Sequence, residues 1–131
     1  DWSPDGSQIV FYSARTQPNQ IWIIPAGGGT AFQVTTGSVS NSWDPAWASD
    51  GARIAYQYGG PGGTNLDIWT IPATGGDVSR VTTDAAQDLE SAWSPDGSAI
   101  AFASNRIGSE FDIWVIDIPL PVESALVAPA S

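Results

Sequence analysis

Trp93-Ser-Pro-Asp-Gly97 opens the most regular stretch of the chain, and Ile100-Ala-Phe-Ala103, Ser104-Asn-Arg106 and Asp112-Ile-Trp114 follow it. Ser-Pro-Asp-Gly is turn chemistry. Proline presets φ at the second position, aspartate tolerates the bridge region at the third, and glycine supplies a positive φ at the fourth. A strand ending in Trp93 is thereby joined to the alternating apolar strand through Ala103 as a tight antiparallel hairpin. Asp112-Ile-Trp114 begins a third strand.

The same order of features recurs twice upstream. Trp2-Ser-Pro-Asp-Gly6 and Trp47-Ala-Ser-Asp-Gly51 precede Trp93 at steps of 45 and 46 residues. Ile9-Val-Phe-Tyr12 and Ile54-Ala-Tyr-Gln57 follow those turns, Ile21-Trp22 and Ile68-Trp69 match Ile113-Trp114, and Val34-Thr-Thr36 and Val81-Thr-Thr83 close the first two units. Pro25-Ala-Gly-Gly28 and Pro72-Ala-Thr-Gly-Gly76 mark a second reversal, because proline lacks the ladder donor and ends the third strand. In the second unit Ser49 stands in place of the turn proline, so that turn is expected to be less rigid. Each unit reads as four short antiparallel strands. Such a sheet cannot bury both faces alone, whereas sheets stacked radially around an axis can. No 3.6-residue periodicity long enough for a helical solenoid is present.

These residues resemble the WD-like β-propeller repeats of the TolB-like family, whose pattern runs Pro-x-Trp-Ser-Pro-Asp-Gly, an apolar strand, Ser-Asn-Arg, Asp-Ile-Trp, Gly-Gly and Leu-Thr. The third unit matches best. The first has Ser13-Ala-Arg15 and Gln20-Ile-Trp22, and the second has Tyr58-Gly-Gly60 where Ser-Asn-Arg is expected. The resemblance covers about residues 1–118 and implies an all-β fold of three propeller blades, at about 1–37, 38–83 and 84–118. Residues 119–131 form a Pro/Ala-rich tail. The blades are expected to be incomplete at both ends and not to close a propeller by themselves. The first lacks its opening strand, and the third departs from pattern after Ile116, its fourth strand missing or improvised from Leu120 to Ala128. The family is similar to six-bladed forms. Three blades leave two apolar sheet faces to be covered by further blades of a longer protein, by a second copy closing six blades, or by other proteins.

Composition narrows the chemistry. The chain has 131 residues, 42% of them hydrophobic and 14% charged, as expected of one globular domain. It opens at Asp1 without methionine, which fits a mature, processed or truncated piece; no stretch reads as a signal peptide or a membrane span. Cysteine and histidine are absent, which removes disulfides, thiolate and imidazole metal ligands, and the usual nucleophiles and general base. Four arginines against 14 acidic residues give a formal charge of −10, which argues against nucleic acid and anionic membrane surfaces. No Gly-x-Ser-x-Gly elbow, P-loop or dinucleotide fingerprint is found. No cofactor, metal or catalytic residue is expected.

Candidate binding residues lie where the chain enters the second and third blades. Trp43 has no periodic counterpart and sits beside Asp44, a pairing that suits polar-peptide or sugar contact as well as simple loop packing. Asp88 and Glu90 occupy the corresponding segment of the third unit, so Asp44, Asp88 and Glu90 are candidates for an acidic rim or for solvated loop charge. Arg106 is either a carboxylate-recognising fork or a partner for acids in the loop through Glu110. Asp5, Gly6, Asp50, Gly51, Asp96 and Gly97 read as structural turn residues, and the other six tryptophans as packing between blades. Taken with the resemblance, this points to a non-catalytic interaction or scaffolding module of a bacterial periplasmic or extracellular protein. The alternatives are the gating propeller of a prolyl-oligopeptidase-type serine peptidase and a structural subunit of a larger assembly.

Overall fold

The computed structural model describes residues 1–37, 40–61 and 64–119. Blade one contains β1 (Gln8–Ser13), β2 (Gln20–Pro25) and β3 (Phe32–Gln33). Blade two contains β4 (Ser42–Trp47), β5 (Arg53–Tyr58), β6 (Asp67–Pro72) and β7 (Ser79–Arg80), and blade three β8 (Asp88–Trp93), β9 (Ala99–Ser104) and β10 (Asp112–Asp117). Every pairing is antiparallel between sequence neighbours, in sheets ordered β1-β2-β3, β4-β5-β6-β7 and β10-β9-β8. An isolated bridge between Trp2 and Ile9 marks the position of blade one's first strand.

The Asp-Gly turns form as their chemistry dictates. The amides of Gly6, Gly51 and Gly97 donate to the carbonyls of Ser3, Ala48 and Ser94, each at 2.9 Å. The three glycines hold φ of 72°, 74° and 73°, a region that other residues enter only at a cost. Asp96 Oδ1 accepts from the Ser94 hydroxyl at 2.7 Å, the Ser98 amide at 3.0 Å and the Ser98 hydroxyl at 2.7 Å, and Asp5 repeats the arrangement. In blade two Asp50 accepts from the Ala52 amide. These carboxylates are tied into their own turns.

Two apolar layers hold the three sheets together. Val10, Ile21, Ile23 and Val34 of blade one pack against Trp47, Ile54, Tyr56 and Ile71 of blade two. Ala55 and Ile68 of blade two pack against Ile100, Phe102 and Ile118 of blade three. Each fully buried isoleucine contributes about 1.5–3 kcal/mol, which makes these layers the main source of cohesion. Of the periodic tryptophans, Trp47 is buried in the first layer, Trp69 packs against it, and Trp93 and Trp114 pack against the second. Trp22 belongs to neither layer and lies under Arg15, and Trp2 is 58% exposed, because among the described residues no preceding blade lies against it. At the other end Ile113 and Val115 are 77% and 65% exposed, although their counterparts Ile68 and Thr70 are buried. The expected strand over Leu120–Ala128 lies outside the described residues.

Candidate functional site

The first strands of blades two and three each carry a register irregularity, between Trp43 and Ala46 in β4 and between Leu89 and Ala92 in β8. At these bulges Asp44 has φ 46° and Glu90 φ 53°. A left-handed conformation costs a non-glycine residue about 1–2 kcal/mol, so the surrounding ladder must impose it. Both side chains are exposed and occupy the same repeat position. They converge with the start of blade one on a cavity of about 470 Å³ lined by Asp1, Val10, Phe11, Tyr12, Asp44, Pro45, Glu90 and Ser91. Gln57 Nε2 donates to Asp44 Oδ2 at 2.8 Å, and the Trp47 amide donates to Asp1 Oδ2 at 2.8 Å. The wall is therefore acidic, with an aromatic side supplied by Phe11 and the half-exposed Tyr12.

Asp88 does not belong to this rim. Its side chain is fully buried, and Arg106 Nη2 lies 3.1 Å from Oδ1 and 3.2 Å from Oδ2. Arg106 Nε donates to the Ser104 hydroxyl at 2.9 Å, and its guanidinium lies over the rings of Phe102 and Trp114, at 5.1 and 4.7 Å from their centroids. The arginine is thus a clamp inside blade three, paired with Asp88 and not with the acids of its own loop. Arg15 lies over Phe11 and Trp22 in the same way, and in blade two the ring of Tyr58 meets Trp69 edge-on at 5.5 Å in place of an arginine. Trp43 is half-buried opposite Gln57, does not line the acidic cavity, and has Leu89 as its counterpart.

Asp44 and Glu90 are therefore brought together, while Asp88, Arg106 and Trp43 are drawn into the blades. Sequence reasoning missed Tyr12, Phe11 and Ser91. A signal existed for Tyr12, since its repeat position holds Tyr, Gln and Ala in turn whereas the preceding position stays aromatic as Phe11, Tyr56 and Phe102. Among the described residues no three acidic side chains group in a way that would hold a metal ion.

Two solved structures are similar over most of the chain. A putative TolB from Agrobacterium tumefaciens matches at 27% identity and a TM-score of 0.75, over 88% of this chain and 40% of that one. TolB from Acinetobacter baumannii matches at 29% identity and a TM-score of 0.77, over 88% of this chain and 28% of that one. The β-propeller domain of the Trilobed protease from Pyrococcus furiosus, 16% identical with a TM-score of 0.60 over 84% of this chain and 34% of that one, shares the fold alone. No family model matches the sequence, and no curated protein matches it. The chain spans less than half the length of each of these structures.

Proposed function

We propose that this chain, a run of TolB-like β-propeller blades, serves as a non-catalytic protein-interaction module whose partner docks at the acidic cavity between the first strands. The observation that carries the reading is the pair of bulge carboxylates, Asp44 and Glu90, held at unfavourable φ on one wall of a cavity that also presents Tyr12. Backbone strain kept at a surface site in two successive repeats is a mark of function. Carboxylates beside an aromatic face suit a cationic peptide segment, through charge, hydrogen bonds and cation–π contact. Packed blades hold the two acids rigidly, so little ordering cost falls on the protein when a partner binds. The absence of histidine and cysteine supports a binding role. The TolB resemblance supports a bacterial periplasmic or extracellular setting. A gating propeller of a peptidase would need its catalytic groups outside these 131 residues.

Titration of the chain with lysine-rich and glutamate-rich peptides of equal length tests the proposal. The lysine-rich peptide is expected to bind, to weaken with added salt, and to be lost in the D44N/E90Q variant while circular dichroism stays unchanged. Equal binding of both peptides, binding that survives D44N/E90Q, or turnover of the peptide would overturn it.

A further inference from the structure

Each blade pairs an aromatic ring of one strand with a tryptophan of the next, and what surrounds that pair differs between blades. In blade three Phe102 stands opposite Trp114, and Arg106 lies over both rings and pairs with Asp88. In blade two Tyr56 stands opposite Trp69, while Ser42 and Gly60 hold the positions of Asp88 and Arg106. A carboxylate and a guanidinium are thus replaced by a hydroxyl and a hydrogen atom. Tyr58 fills only part of the space, its ring edge-on to Trp69.

The difference shows in the grooves between blades. Between blades two and three, Arg106 helps to wall a cavity of about 260 Å³ beside Thr82 and Thr83. Between blades one and two the matching cavity, beside Thr35 and Thr36, reaches about 330 Å³, and Ser42, Tyr56 and Tyr58 line it. Ser42 and Tyr56 are each only 2% exposed. The Thr35 hydroxyl is committed to the Ile21 amide and to Gln20. Among the described residues the hydroxyls of Ser42, Tyr56 and Tyr58 make no hydrogen bond, and buried polar groups are seldom left so. Burial, with Tyr58 beside it, pushes the Tyr56 phenol above its ordinary range, so it stays a neutral donor. Of the described residues on the wall Asp77 alone is charged.

We infer that this cavity between blades one and two is a binding site for a neutral pyranose sugar. Sugar hydroxyls both donate and accept, as do those of Ser42, Tyr56 and Tyr58, so they bond without a charge on either side. The rings of Tyr56 and Tyr58, 6.4 Å apart and tilted by 48°, offer apolar surface to the C–H groups of the sugar. The exposed Asp77 accepts from further hydroxyls. An anion would meet this carboxylate and no cation, and a guanidinium would find Ser42 where Arg106 finds Asp88. A few hundred Å³ with an aromatic wall and a few polar groups is ordinary for a small-molecule site. The acidic cavity at Asp44 and Glu90 shares none of these residues, so the two sites are independent.

The test is a titration of the full chain with the methyl glycosides of glucose, galactose and mannose, and with arginine amide, followed by amide NMR and tryptophan fluorescence. At least one glycoside is expected to bind saturably, with a Kd on the order of millimolar, more tightly than arginine amide and with the largest shifts at Thr36, Tyr58 and Asp77. Y56F, which installs the residue type of Phe102, should weaken that binding about fivefold, the size of one lost neutral hydrogen bond. S42D/G60R restores the pair of blade three and should abolish binding while circular dichroism stays unchanged. D44N/E90Q should bind the sugar as the parent does, so that the sugar site and the peptide site fail separately. No saturable binding by any of the three glycosides, unchanged binding in Y56F or in S42D/G60R, tighter binding of arginine amide, or shifts away from this groove would overturn it.

Discussion

Replacing Arg106 by methionine removes the charge and keeps much of the length of the side chain. Asp88 is then left fully buried without its cation, with the Ser104 hydroxyl also losing its donor. Removing one partner of a buried pair costs about 3–5 kcal/mol, because the remaining charge has neither water nor a counter-ion. The loss of the guanidinium over Phe102 and Trp114 adds about 0.5–1 kcal/mol for each ring. Domains of this size hold only about 5–15 kcal/mol in total, so the single variant should be close to unfolding. Blade two supplies the control, since it carries Ser42 and Gly60 at the positions of Asp88 and Arg106 and folds without the pair. The D88S/R106M double variant should therefore be more stable than R106M alone, with a coupling of about 2 kcal/mol or more between the two sites. Urea unfolding at pH 7, followed by tryptophan fluorescence for the parent, both single variants and the double, measures it. A loss below about 1 kcal/mol for R106M, or single losses that add to within about 0.5 kcal/mol, would refute the buried-charge argument.

Three further outcomes follow from the turns and from blade two. The Ser7 amide and the Ser3 and Ser7 hydroxyls hold the Asp5 carboxyl at about 2, and the Ser94 hydroxyl with the Ser98 amide and hydroxyl holds Asp96 at about 2. A depressed folded value means stability that is present above the ordinary carboxylate range and lost as pH falls towards 2, so the melting temperature should drop between pH 4 and 2, and less steeply in D5N/D96N. Gly97→Ala should cost more than Gly6→Ala: both force alanine to φ above 70°, worth about 1–2 kcal/mol, but only at Gly97 does the added Cβ meet another atom, Ser49 Oγ at 3.3 Å. Equal losses in urea unfolding would remove that contact from the account. Burial pushes the Asp67 carboxyl up, and Arg80, 2.8 Å away on a side chain 43% exposed, offsets only part of this. Asp67→Gln, the residue that blade one uses at Gln20, should therefore change stability by less than about 1 kcal/mol at pH 7, and a loss above about 2 kcal/mol would show the pair to be worth more than an exposed one.

What the sequence determined by itself is the repeat and nearly every strand. Pro, Asp and Gly act on the backbone within four residues, and apolar alternation acts within one strand, so the recurrence of these signals was enough to place the strands around the Asp-Gly turns and the Ile-Trp pairs. The tertiary structure decided the fate of the charges. Asp88 and Glu90 stand two apart on a strand, and period-two geometry puts them on one face as a single acidic pair. The bulge between Leu89 and Ala92 breaks that period, sending Glu90 to the cavity with Asp44 while Asp88 goes inward to Arg106. Tyr12 reaches the same cavity only because neighbouring blades stack side by side, across 31 residues of intervening sequence from Asp44. Local chemistry is written in order along the chain, whereas burial and long-range proximity are properties of the packed blades, and those set which carboxylate is a structural clamp and which is free to meet a partner.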